Sequence, residues 1–315
     1  MRCGRYRFIC TFDEDAKLPP FKGSTLRGAF GWALKRVTCA LKTQQCSNCI
    51  LRETCVYCKI FESLPSNNLQ NRMSPPHPFV MEPPDGDAEF FPAGADLSFN
   101  IFLFGFANEL LPYFVYAFQE MGKRGLGRRL SKTSGAFHLV KVCLEDQVIY
   151  DPDDGVFRAP SVPELAAPQP SRRTADATSS LTVRVETPLR LKFGNRFVAE
   201  LPFHVLVRGM LRRISVLNNH FGSGEPALDY RGLVARAEQV ETESSALRWF
   251  DWRRYSNRQE QSMLMGGVIG SVTYRGALDE FLPLLKYCEI VHVGKATAFG
   301  LGKIRVVGDA GRRPR

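Results

Sequence analysis

At 315 residues, with 44% hydrophobic and 23% charged side chains, the chain has a globular composition and the length of two domains of about 150 residues each. Its 42 Lys and Arg outnumber 32 Asp and Glu, a formal net charge of +10, which points to a polyanionic partner, nucleic acid before an anionic membrane. No apolar run approaches the roughly 18 residues of a membrane span, and the N-terminus lacks the apolar core of a signal peptide, so a cytoplasmic protein with no membrane partner is expected.

Residues 5–12 alternate as a half-buried strand does, and Asp13 to Pro20 turns the chain. A helix is predicted from the stretch Phe21-Lys22-Gly23-Ser24-Thr25-Leu26-Arg27 onward. Ser24 or Thr25 is its expected cap, and Leu26, Phe30, Ala33 and Val37 form its apolar face. Its N-terminus, beside Lys22 and Arg27, suits an anion. The middle of the helix carries Trp32 and Lys35.

Five of the nine cysteines follow within residues 39–58: Cys39, Cys46, Cys49, Cys55 and Cys58, including the C-x-x-C pairs Cys46/Cys49 and Cys55/Cys58. Each pair puts two sulfurs on one tight turn, and two turns complete a tetrahedral sulfur site, so a structural Zn2+ is the first expectation. A 4Fe–4S cluster takes the same ligand number. One cysteine is left over, Cys58 or Cys39.

Residues 63–95 read as a long connection with a short strand at Phe79–Glu82. A strand is predicted over Asp96–Phe106, an aromatic amphipathic helix over Asn108–Met121 and a strand over Phe137–Leu144. Between the last two, Gly122-Lys123-Arg124-Gly125-Leu126-Gly127-Arg128-Arg129 sets a Gly-hydrophobic-Gly turn among cations. The five prolines of Asp151–Ser180 mark a linker, giving domains 1–150 and 181–315. The second half repeats the outline. It has a strand region Leu181–Phe193, a helix Leu201–Asn219, an aromatic–arginine run from Trp249 to Gln259, a strand Met263–Thr273 and a helix Ala277–Tyr287. The stretch His292-Val293-Gly294-Lys295-Ala296-Thr297-Ala298-Phe299-Gly300-Leu301-Gly302-Lys303-Ile304-Arg305 then leads into a last strand. Glycine-freed amides and cations at one place suit a phosphate backbone, and two halves in the same order imply an internal duplication.

The C-terminal stretch resembles the signature of the RAMP superfamily of CRISPR-associated proteins, and specifically its precursor-crRNA processing endoribonucleases. Two Gly-hydrophobic-Gly elements there flank a cation, with His292 replacing the first glycine here. The Lys22–Gly28 helix start resembles a RAMP first helix, and the cysteine insert resembles one subgroup. The resemblance implies an α+β fold of tandem ferredoxin-like domains, with the cysteine-rich metal-binding insert in the first. It implies binding of CRISPR repeat RNA and metal-independent cleavage, in which a ribose 2′-hydroxyl attacks the adjacent phosphate to leave a 2′,3′-cyclic phosphate. RNA contacts are expected at Lys22, Ser24, Arg27, Arg124, Arg128, Arg129, Arg254 and Arg258. Further contacts are expected at Gly294, Lys295, Thr297, Gly300, Gly302, Lys303 and Arg305. Members often carry a histidine in or near the first helix. Residues 21–42 contain none, so His292, Lys35 and His77 are the catalytic candidates, and His138, inside an alternating strand, reads as structural. The rival expectation is a non-catalytic RAMP subunit that caps crRNA among other effector subunits. A third is a cysteine-rich redox protein.

Overall fold

A computed structural model describes the chain except residues 43–44, 63–74, 131–132, 170–178, 195, 257–260 and 308–315, with the backbone alone at 253–256 and 261–264. The chain divides into two compact units: Met1–Leu165 with His220–Gly222, and Ala166–Asn219 with Ser223–Arg315.

In the first unit, strand β1 (Cys3–Phe12) enters helix α1 (Gly23–Thr38). Strands β2 (Phe79–Glu82) and β3 (Asp96–Phe104) follow, then helix α2 (Leu111–Arg124) and strands β4 (Phe137–Leu144) and β5 (Gln147–Tyr150). The sheet order is β2-β3-β1-β4-β5, antiparallel throughout. Without the edge strand β5 this is the ferredoxin-like order, two split βαβ units interleaved in one sheet. Tyr6, Phe8, Cys10 and Phe12 alternate inward from β1 and meet Leu26, Phe30, Phe114 and Phe118 from the helices. Phe30 stacks on Phe114 and Phe118 at ring separations of 4.9 and 5.1 Å, so an aromatic cluster fixes the two helices on the sheet. Residues 151–165 pack with this unit, where Phe157 bridges Tyr150 and Glu164 bridges Arg2.

The second unit repeats the plan. It contains strand β6 (Ser179–Leu189), helices α3 (Phe203–Phe221) and α4 (Tyr230–Ala237), strands β7 (Glu241–Ser245), β8 (Arg248–Phe250) and β9 (Gly267–Gly276), helix α5 (Leu282–Val291) and strand β10 (Ile304–Val307). Its sheet runs β7-β9-β6-β10, the same permutation as the first, with β8 also paired to β9. The duplicated order read from the sequence is therefore a duplicated ferredoxin-like fold. Arg213 of α3 is buried and donates from Nε and Nη2 to the Val291 carbonyl, at 3.1 and 2.9 Å. Burial lowers its pKa to about 10, which leaves it charged at neutral pH, where it complements the partial negative charge at the end of α5.

Several boundaries differ from the sequence reading. Helix α1 begins at Gly23 and not after a Ser24 or Thr25 cap. The Lys22 carbonyl already accepts from Leu26 N–H at 3.0 Å, and no side chain caps the end. Helices α2 and α5 start later than expected, each with Pro at its first turn (Pro112, Pro283) behind a short 3-10 turn. The predicted strand Met263–Thr273 is broken at Met265–Gly266 into Gln261–Leu264, which pairs with Arg253–Ser256, and β9. Among the described residues no helix is long and apolar enough to cross a membrane.

Candidate functional site

The C-terminal glycine turn owes its shape to packing. Leu301 is fully buried, as are Val293 and His292, and Thr297 through Gly302 are all buried. Burying a leucine stabilises by about 1.5–3 kcal/mol, enough to draw the turn inward. Gly294, Gly300 and Gly302 have φ of 88°, 80° and 74°, the left-handed region. A Cβ on Gly302 would lie 1.8 Å from the Val293 carbonyl oxygen, so only glycine fits. Five amides of the turn are engaged within the unit. Val293 donates to Gly302, Lys295 to Arg190, Phe299 to Ala296, Gly300 to Thr297 and Gly302 to Pro188. The Gly300 carbonyl accepts from the Thr187 hydroxyl, whose oxygen accepts in turn from Lys303 N–H. At Gly300 and Gly302 the expected anion cradle is thus corrected to an internal hydrogen-bonded turn, with Thr297 buried and Gly294 half-buried beside it.

Of the cations there, Lys295 is exposed, whereas Lys303 and Arg305 both face Glu186, at 3.7 and 2.8 Å. His292 is corrected as a catalytic candidate. It is fully buried at the end of α5 with φ of 59°, and its Nδ1 donates to the Leu301 carbonyl at 3.1 Å, so a substrate has no approach to it.

The start of α1 divides its residues differently. Lys22, expected on RNA, is 1% exposed, and its ammonium donates to the carbonyls of Pro20 and Gly86, both at 3.1 Å. Burial lowers its pKa, against the pull of Asp87 and Glu89. Ser24 is half-buried. Arg27, half-buried, lies 4.3 Å over the Phe61 ring, and its Nη2 stands 2.9 Å from His77 Nε2. A guanidinium only donates, so His77 Nε2 is the acceptor and its proton resides on Nδ1. His77 packs beside Phe61 and Phe79 and remains half-buried, which fixes its ring without sealing it from solvent. Lys35 is half-buried, with Nζ 5.5 Å over Tyr57. The structure thus joins Arg27 to His77 across 50 residues of sequence, a pairing invisible to motif reading.

At the end of α2, Gly125 and Gly127 have φ of 89° and 101°, and Leu126 between them is buried. Arg124, Arg128 and Arg129 are exposed. The Arg124 guanidinium stacks 3.8 Å over Trp32, an exposed α1 residue outside the expected RNA contacts. His138 lies on its predicted strand. It is exposed, with Nδ1 2.6 Å from the Asp13 carboxylate, the partner supplied by the neighbouring end of β1. Arg254 lies in the strand Arg253–Ser256, and Arg258 lies outside the described residues.

None of the nine cysteines is in a disulfide. Cys46–Asn48 forms a 3-10 turn closed by Cys49 N–H on the Cys46 carbonyl at 3.4 Å, and Lys59 N–H bonds the Cys55 carbonyl at 3.0 Å, so each C-x-x-C pair spans one turn. The buried Cys58 thiol is within hydrogen-bonding reach of Cys55 and Cys46, which brings the two turns together. Convergence stops there: among the described residues, no three His, Cys, Asp or Glu side chains form a ready cage for a metal ion. Cys39 follows α1 as its C-cap.

Two ferredoxin-like units in tandem, the second ending in a Gly-hydrophobic-Gly turn before its last strand, are the arrangement that the resemblance to RAMP proteins implies. Residues 1–162 match the family AF_1859_N, described as an N-terminal domain, and residues 183–304 match the family described as CRISPR-associated endoribonuclease Cas6. The chain belongs to the AF_1859_N family, whose domain forms its first half, and its second half is similar to the Cas6 family. It is 26% identical over 293 residues to an uncharacterized protein of Archaeoglobus fulgidus, covering 92% of each chain. Among solved structures it is similar to a Cas6 (TTHB231) product complex, with a TM-score of 0.55 and 15% identity over 97% of this chain and 100% of that one. The Thermus thermophilus Cas6 (TTHB231) structure gives a TM-score of 0.52 at 15% identity, over 97% and 98% of the two chains. A partial Cas6-RT-Cas1--Cas2 complex gives 0.56 at 13% identity; all of this chain matches 47% of that one. These likenesses show the fold.

Proposed function

We propose that the protein binds CRISPR repeat RNA in the cytoplasm and cuts precursor crRNA at a site formed by His77 and Arg27. The observation that carries this reading is the 2.9 Å contact between Arg27 of the first helix and His77, just before strand β2, which supplies a proton acceptor and a cation together. When a phosphate draws the Arg27 guanidinium away, His77 Nε2 is left as a base that already holds its other proton on Nδ1. Nε2 takes the proton of the ribose 2′-hydroxyl, and the 2′-oxygen forms its bond to phosphorus. Arg27 stabilises the charge on the phosphorane, and the bond to the 5′-oxygen breaks. The imidazolium returns a proton to that oxygen, so a 2′,3′-cyclic phosphate and a 5′-hydroxyl result and no step calls for a metal.

The test is incubation of the protein with repeat RNA in EDTA, followed by analysis of product ends. Cleavage to a cyclic phosphate is expected. His77→Ala should slow cleavage by about 10²-fold or more at unchanged RNA affinity. Cleavage by His77→Ala at the wild-type rate would exclude this site. The buried His292 favours the second reading, a crRNA-capping subunit assembling with other CRISPR proteins, and tight binding without cutting would establish that one.

The cysteines have a structural place in this proposal. Cys46, Cys49, Cys55 and Cys58 would hold one Zn2+, with Cys39 left over. The meeting of Cys58 with Cys46 and Cys55 supports that division of the five. Ile50 and Leu51 point outward between the pairs, so the segment has little apolar core of its own, the circumstance in which a metal holds a small loop folded. Elemental analysis is expected to find about one zinc per chain. Iron with visible absorption would instead mean a 4Fe–4S cluster.

A further inference from the structure

On the exposed side of α1, Trp32 is 39% exposed, too much for a core residue and large for an idle surface one. Arg124 covers it at 3.8 Å, van der Waals contact between guanidinium and indole. Arg36, one turn further along, is 5.4 Å from the ring centre, near enough to be attracted and far enough to turn toward another anion. Neither arginine has a carboxylate within 4.0 Å among the described residues, unlike Lys303 and Arg305. The helical position one turn before Trp32 is Gly28, where an added Cβ would meet nothing within 4 Å. Helical side chains lean toward the N-terminus, so the ground beneath the indole is bare. On α2 the spacing of Tyr113, Tyr116 and Arg124 puts them on one face, and both tyrosines are exposed.

We infer that Trp32, with Arg36 and Arg124, is a stacking platform for an unpaired nucleotide of bound RNA, the indole receiving a base and the two guanidinium groups its flanking phosphates. Charge selects the occupant. An aromatic ring between two cations without acidic partners matches a strand that alternates flat bases with anionic phosphates. The platform deepens the RNA-processing reading and rests on it, but it lies apart from the Arg27–His77 pair in role: it holds RNA and does no chemistry.

The experiment titrates the full chain with a short fluorescein-labelled oligouridylate over a salt series, and with the same strand carrying one 2-aminopurine. Trp32→Ala is expected to weaken binding about tenfold without changing the salt slope, and to abolish the quenching of 2-aminopurine. Trp32→Phe, which keeps a ring, should recover most of the affinity. Arg124→Ala should reduce the log–log salt slope by about 0.7, one phosphate contact on a single strand. A Trp32→Ala that loses its thermal transition is set aside, and Arg124→Ala then decides. If a folded Trp32→Ala binds and quenches as the wild type does, or Arg124→Ala keeps the wild-type salt slope, while the wild type binds RNA, the platform is refuted and the processing reading stands. If the wild-type chain binds neither oligouridylate nor repeat RNA, both fall together.

Discussion

Leu126 and Leu301 occupy the same kind of turn in the two units: a buried leucine between two glycines of positive φ, following a helix and preceding the last strand of the ferredoxin-like plan. In both turns the glycines are required by close backbone approach. A Cβ on Gly127 would come within 2.3 Å of the Lys17 carbonyl oxygen, and one on Gly302 within 1.8 Å of that of Val293. The flanking cations differ. Arg124, Arg128 and Arg129 are exposed and have no carboxylate partner among the described residues, while Lys303 and Arg305 are drawn onto Glu186. The glycines therefore report on the fold, and the charges around them report on what each unit offers to a polyanion. A glycine signature near a basic residue is weak evidence of contact until the acids nearby are known.

The largest effect that tests this comparison is on stability. Gly302→Ala and Gly127→Ala should each destabilise by about 3–5 kcal/mol in chemical denaturation, since each adds a clash to a left-handed backbone. A mild cost at one of them alone would end the equivalence of the turns. Next comes affinity. Replacing Arg124, Arg128 and Arg129 together by alanine should lower the log–log salt slope for single-stranded RNA by about 2, and replacing Lys303 and Arg305 by less than about 1. Equal losses would mean that Glu186 does not shield its partners. The smallest and sharpest test is Glu186→Gln, which releases Lys303 and Arg305. RNA affinity at low salt should rise about two- to threefold, with stability within about 1 kcal/mol of the wild type, as befits a partly exposed ion pair.

Much of the fold was legible in the sequence because it is local. The alternation of Phe8, Cys10 and Phe12, the apolar face of Leu26, Phe30 and Ala33, and the order of elements in each half all carry periodicity that a reader can count. The site was less so, because its decisive facts are long-range. Nothing near Lys22 announces that the carbonyl of Gly86 will bury its ammonium, and nothing near His292 tells that Leu301 will cover it. Arg27 meets His77, and Trp32 meets Arg124, only after the sheet has formed. The partner of His138 was hidden for the complementary reason. Alternation says that strand faces differ, and the exposed face is where Asp13 reaches it.

The C-terminal turn closes on itself, with Val293 donating to Gly302 at 2.9 Å and Lys295 exposed between them. A loop whose ends are already tied keeps its anchorage whatever is carried at its crest. Lys295 is therefore a natural attachment point for an amine-reactive dye, which would ride on its exposed side chain while its backbone N–H stays on the Arg190 carbonyl and strand β10 stays paired in place.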